Sequence, residues 1–167
     1  MDGDVRRLSP AWEQFFALET GARFKALLHS SLWGNCADLS NFTVRVKSHS
    51  GLETVAERHL ILIDHTERVG GLLAGRLGRV DFICDNVGSD LLFDLALADF
   101  LLGLNWEQEI HLHLKGQLFF VSDAIPLDAR RTVDLLKVAP GPGLQALGAR
   151  LDEDLSTRRL VFATDPF

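Results

Sequence analysis

From residue 58 onward the chain alternates short apolar runs with longer amphipathic segments, and this alternation constrains the fold more than any other feature. "HLILID" (59–64), "RVDFIC" (79–84) and "EIHLHL" (109–114) have strand length and strand-like composition. Residues 66–77, closed by Gly78, and residues 88–102 have helical length and spacing. "QLFFVSD" (117–123) reads either as a fourth strand or as the approach to a loop. Residues 127–138 read as a third helix, "APGPG" (139–143) as a hinge, 144–155 as a further helix and "RLVFA" (159–163) as a last strand. Strands separated by helices pair in parallel, because the crossover returns each strand in the same direction. The expected class is therefore α/β: a mostly parallel sheet flanked by helices, three-layered and Rossmann-like, but incomplete.

Upstream, Ser9-Pro10 is a good helix start, and Trp12, Phe15, Phe16, Phe24, Leu27 and Leu28 recur at roughly helical spacing to about Leu32. Gly21 is a weak point in that pattern. "WGNCADLSN" (33–41) reads as an irregular loop and residues 42–47 as a short strand. The chain thus divides into an N-terminal helical segment and loop, 1–57, and a partial α/β domain, 58–167.

Composition narrows the partners. The 47 % hydrophobic content over 167 residues suits a folded domain with a real core. Lys and Arg number 17 against 23 Asp and Glu, a net charge of −6, which argues against nucleic acid or an anionic membrane. A phosphorylated small molecule stays open, since a bound metal reverses the local sign of an acidic site. Cys36 and Cys84 have no metal-like spacing and read as free thiols in a reducing cytosol. The N-terminus is too polar for a signal peptide, and no apolar stretch reaches the roughly 18 residues of a membrane helix. The expectation is a soluble, cytoplasmic protein.

Chemistry concentrates in "FICDNVGSDLLFD" (82–94), where an apolar run ends on Asp85 and Asn86. Ligands of open parallel sheets bind at the carboxyl ends of the strands. Gly88 would open a helix whose free N–H groups favour an anion. Asp123 would end "LFFVS" in a similar position. Two carboxylates and one amide are hard oxygen donors, suited to magnesium or manganese rather than zinc. The competing reading makes Asp85 and Asn86 turn residues that cap the next helix. Lys115 is placed to reach a phosphate or simply to face solvent, and Asp90 fits the first helical turn as a cap. His111 and His113 alternate on one strand as a His-x-His pair, but no third His or Cys lies nearby. "GGLLAGRLG" (70–78) lacks the ending of a phosphate loop, and there is no GxGxxG or GxSxG.

Four segments together, "SLWGNCADLS" (31–40), "GRVDFICDNVGSDLLFDLALADFLL" (78–102), "HLKGQLFFVSD" (113–123) and "LGARLDEDL" with the terminal "DPF", resemble the metal-binding domain of the damage-control phosphatases. The resemblance is to the subfamily also described as acidic-residue methyltransferases. It covers most of the chain from about residue 25 and implies that Asp85, Asn86 and Asp123 bind a divalent metal, manganese, nickel or magnesium. It implies a phosphatase acting on sugar phosphates such as fructose 1-phosphate, with Asp85 and Asp123 catalytic and Asp85, Asn86, Asp90 and Lys115 contacting the substrate.

The chain departs from the family at three points. Asp90 stands where members usually carry Glu. Leu118 stands where they carry Pro. Most of the helical region before "LWGN" and the strands beyond "DPF" that grip the phosphate would be missing, leaving an exposed sheet edge for association. Two further readings follow: a non-catalytic metal-binding remnant, and a carboxylate O-methyltransferase. The latter ranks last because no glycine-rich cofactor loop follows the first strand.

Overall fold

A computed structural model describes Trp12 and residues 15–33, 61–75, 78–104 and 107–164. Among these residues, β1 (Gly78–Ile83), β2 (Glu107–His113) and β3 (Leu160–Ala163) form an open sheet in the order β1-β2-β3. Both pairings are parallel, with Asp81 opposite His111 and Ile110 opposite Leu160. The α/β class read from the alternation is the class observed.

Alternation along the strands gives the sheet two unlike faces. Val80, Phe82, Ile110, Leu112 and Leu160 belong to the core or pack on it. Arg79, Asp81, Ile83, Glu109, His111 and His113 occupy the intervening positions on the other face. Helix α3 (Ser89–Gly103) joins β1 to β2 and is apolar nearly all round, with every residue from Leu91 to Leu102 buried. A helix of that kind must be covered on several sides. α1 (Thr20–Trp33) covers one side, where Phe24 stacks on Phe100 with ring centroids 6.4 Å apart. Trp12 reaches Phe93 at 5.2 Å. α5 (Pro142–Ser156) covers another side with Leu144, Leu147 and Leu151, and α4 (Pro126–Lys137) packs on α5 through Val133 and Leu136. The right-handed rule for parallel crossovers puts α3 and α5 on one face, and a two-bond Asp99–Arg150 pair joins them.

Several local expectations need correction. Residues 61–64 form no strand and bend at Leu62 and Ile63, both exposed, whereas a strand was expected over 59–64. Asp64 Oδ1 accepts the Thr66 N–H at 2.9 Å, a local bond that turns the chain into α2 (Thr66–Leu73). Residues 59 and 60 lie outside the described residues. α2 stops short of residue 77: Ala74 and Gly75 close it with bonds to Gly70 O and Leu72 O. Of the two readings of 117–123, the loop is the one observed, with Leu118, Phe119, Phe120 and Val121 exposed. α5 begins inside the supposed hinge, because Pro142 fits a first helical turn after Gly141.

The Ser9-Pro10 helix start, Cys36, the 42–47 strand, the 57/58 boundary and the terminal "DPF" all lie outside the described residues, as does the 33–41 loop except Trp33, which ends α1. No helix of the described residues is long and apolar enough to cross a membrane.

Candidate metal centre at the strand ends

Cys84 prolongs β1 by donating its N–H to His113 O at 3.0 Å, after which Asp85 and Asn86 leave the sheet. They meet the end of the 117–123 loop. Val87 N–H donates to Ser122 O at 2.7 Å and Ala124 N–H to Asp85 O at 2.9 Å. These two bonds flank an isolated antiparallel bridge between Asn86 and Asp123. The pair is therefore of the non-hydrogen-bonded kind, in which Cα atoms lie about 4.5 Å apart and the side chains share one face. Lys115, just past β2, is tied in by its N–H to Ala124 O at 2.9 Å.

The side chains continue this convergence. Asp123 is buried, and its Oδ2 accepts the Phe119 N–H at 2.7 Å and the Phe120 N–H at 2.8 Å. The Phe120 amide, then the Phe119 amide and the charge of Lys115, hold its carboxyl below the ordinary carboxylate range. Its Oδ1 takes no hydrogen bond among the described residues. Asp85 is exposed, with Oδ1 3.4 Å from Lys115 Nζ. Asn86 donates its amide N–H groups to Asp85 Oδ2 at 3.2 Å and to Asp90 Oδ2 at 3.3 Å. With its nitrogen committed to carboxylates, its carbonyl oxygen is left for a cation. Asp90 stands in the first turn of α3, where burial pushes its carboxyl up, the Asn86 amide opposes this, and the Asp85 charge adds to the rise.

Gly88 makes the sharp entry into α3. Its φ of 87° and ψ of −132° are open to glycine and strained for other residues. α3 then starts at Ser89, and its N-terminal end is the one that favours negative charge. All five residues named from the sequence, Asp85, Asn86, Asp90, Lys115 and Asp123, are thus brought to one strand end. The oxygens fit a hard divalent cation in chemistry, and Lys115 is the counter-charge beside Asp85.

Beside them lies a cavity of about 440 Å³ between α1, α2, β1 and α3. Asp94 lines it, and this residue escaped functional notice in the sequence. It is buried, accepts the Ser31 hydroxyl at 2.5 Å, and burial pushes its carboxyl up to about 6. The Cys84 thiol is pushed up by burial and by Asp94, so it is unreactive. The only signal in the sequence was the spacing of Asp90 and Asp94, one helical turn apart. Asp99, on the same helix, faces Arg150 instead.

The His-x-His pair named from the sequence has a third partner that the sequence reading missed. His113 Nε2 lies 2.6 Å from Asp81 Oδ1, so an aspartate on the neighbouring strand joins the two histidines. Only the strand register could have revealed that partner.

Comparison with known proteins identifies the family. The damage-control phosphatase ARMT1-like domain matches residues 5–167. Damage-control phosphatase ARMT1 of Xenopus laevis is 32% identical over 155 residues, covering 84% of this chain and 35% of its own. The Danio rerio protein of the same name is 31% identical over 175 residues, covering 98% of this chain and 39% of its own. The Homo sapiens protein is 30% identical over 152 residues, covering 83% and 34%. The chain thus spans about a third of the length of these curated relatives. A parallel sheet ending in Asp85-Asn86, bridged to Asp123, lies inside the matched region, and the chain belongs to the damage-control phosphatase ARMT1-like domain family.

Proposed function

We propose that the strand-end site hydrolyses small phosphorylated metabolites, sugar phosphates such as fructose 1-phosphate, with the help of a divalent manganese, nickel or magnesium ion, in the cytoplasm. The observation that carries this reading is the Asn86–Asp123 bridge, which places an amide and a carboxylate on one face next to Asp85. Asp85, Asn86 and Asp123 would hold the ion through oxygen. When bound, the ion would neutralise phosphate charge and favour attack by water.

The remaining groups act on the substrate. Lys115, 3.4 Å from Asp85, would pair with a phosphate oxygen. The first-turn N–H groups of α3 would donate to another. Asp90, which lines the neighbouring cavity, would bond a sugar hydroxyl, and that cavity would take the carbon skeleton.

A non-catalytic metal-binding remnant is the second reading. Among the described residues, no lysine or arginine lines the cavity beside the acids, whereas phosphoryl transfer ordinarily uses several cationic groups. The deciding experiment follows inorganic phosphate release from fructose 1-phosphate by the purified chain, with and without manganese, beside Asp85→Ala. Metal-dependent release that disappears in the variant establishes the phosphatase. A folded chain that binds manganese and releases no phosphate from a panel of sugar phosphates establishes the remnant.

A further inference from the structure

We infer that the polar face of the sheet carries a second cation site, formed by Asp81, His111 and His113 and suited to zinc or a similar borderline metal. One ligand atom from each residue lies within 4.8 Å of the others. The arrangement follows from register. Asp81 is opposite His111 and Ile83 opposite His113 in parallel strands, so the three side chains emerge on the same face, two on β2 and one on β1. The histidine rings are tilted by 36° with centroids 6.2 Å apart, leaving room for an ion between their edges.

The donor set selects the metal. Two imidazole nitrogens and one carboxylate oxygen are a three-ligand zinc set with a fourth position for water, and they differ from the all-oxygen set at the strand end. Ligand atoms at zinc distances lie roughly 3.3 Å apart in a tetrahedron, so closure needs small side-chain rotations from the present spacing. His111 Nε2 already pairs with the Glu109 carboxylate, the kind of outer partner that fixes a ligand imidazole. Asp81 is kept anionic by Arg79 first and by His113. The two histidines are half-buried beside it, so partial desolvation would strengthen binding.

The site is separate from the strand end. Asp81 lies inside β1 on the polar face with the two histidines, whereas Asp85 lies beyond the end of the strand. Its competitor is Arg79, whose guanidinium contacts both Asp81 oxygens, with Nε at 3.1 and 3.0 Å. If the cluster were an ion-pair ladder and nothing more, Arg79 would be a member of it. For a metal site, Arg79 is a rival for Asp81. Substitution of Arg79 therefore separates the two.

The test is zinc titration of the full chain by calorimetry in an Asp123→Ala background, which removes the proposed strand-end ligand. One equivalent of zinc should bind there. His113→Ala should weaken it at least about tenfold, and Arg79→Gln should tighten it. Cobalt substitution gives a second readout, the intense visible absorption of a tetrahedral ion, which His111→Gln should abolish if His113→Ala does not fold. Equal zinc affinity in the parent and histidine variants, weaker binding in Arg79→Gln, or no tetrahedral cobalt spectrum in the parent would each overturn the assignment.

Discussion

Asn86 and Asp123 face each other across a single antiparallel bridge, closed on either side by the Val87–Ser122 and Ala124–Asp85 backbone bonds. That bridge lets a loop far along the chain complete the end of β1. It also explains why the 117–123 segment is not a strand: Asp123 Oδ2 gathers the Phe119 and Phe120 amides into a tight turn. The turn exposes Phe119 and Phe120 at the rim.

Asp123 therefore has two separable duties, and two substitutions divide them. Asp123→Asn retains an oxygen for both amides and should keep the melting temperature of the metal-free chain. Asp123→Ala removes the acceptor and should lower it. Both remove the charge, so both should weaken manganese binding at least about tenfold in calorimetric titration. A melting temperature equally low in both variants would contradict the division, and so would unchanged manganese affinity in either.

Asp94 supplies a pH test. Its carboxyl is raised by burial from an ordinary 3.8 to about 6, so between those values the folded chain binds more protons than the unfolded one. Its effect on stability is therefore most favourable below about pH 4, declines as pH rises through the window, and levels off above about 6. A rise of that size corresponds to roughly 3 kcal/mol of penalty at pH 7. Asp94→Asn keeps an acceptor for the Ser31 hydroxyl and does not titrate. Relative to the parent, it should gain stability between pH 4 and pH 7 in urea unfolding. A difference that stays constant across that range would show that Asp94 does not titrate in the window.

What the sequence disclosed depends on the range of the interaction. β1, α3 and β2 follow from local periodicity, and Asp85-Asn86 stands out because a strand end is itself a local signal. Asp123 was named both as a segment end and through the family resemblance. The 59–64 run has a strand's composition, yet one bond from Asp64 to Thr66 N–H redirects it, and periodicity does not record such bonds. "APGPG" contains both breakers and starters, and Pro142 acts as a starter. The Asp81–His111–His113 grouping depends on register between strands, which no window along one chain can register.

Gly148 tests the α4–α5 packing. A Cβ there would lie 2.6 Å from Lys137 N and 2.9 Å from Leu136 Cβ. In an open helix Gly→Ala is favourable by up to about 1 kcal/mol, but here the nearest atom is backbone and cannot step aside. Gly148→Ala should destabilise the chain by about 1–3 kcal/mol, measured as a shift in urea midpoint with unchanged slope. An unchanged or raised midpoint would show that the two helices separate freely.

The Asp99–Arg150 pair should matter more than a surface ion pair, because its two partners differ in burial. Asp99 is buried, and burial pushes its carboxyl up while Arg150 opposes the rise. Arg150 Nε lies 2.7 Å from Asp99 Oδ1, and its second nitrogen 2.8 Å from Oδ2. Its own side chain is 47% exposed, so solvent screens part of the attraction. Arg150→Ala would leave a buried carboxylate without its main partner, a loss of about 1–3 kcal/mol at pH 7, below the cost of breaking a fully buried pair. Adding Asp99→Asn removes the stranded charge and should restore part of that stability. Urea unfolding of the two single variants and the double variant measures the coupling. Additive losses would mean that the two residues act independently and that the helices are joined by apolar packing alone.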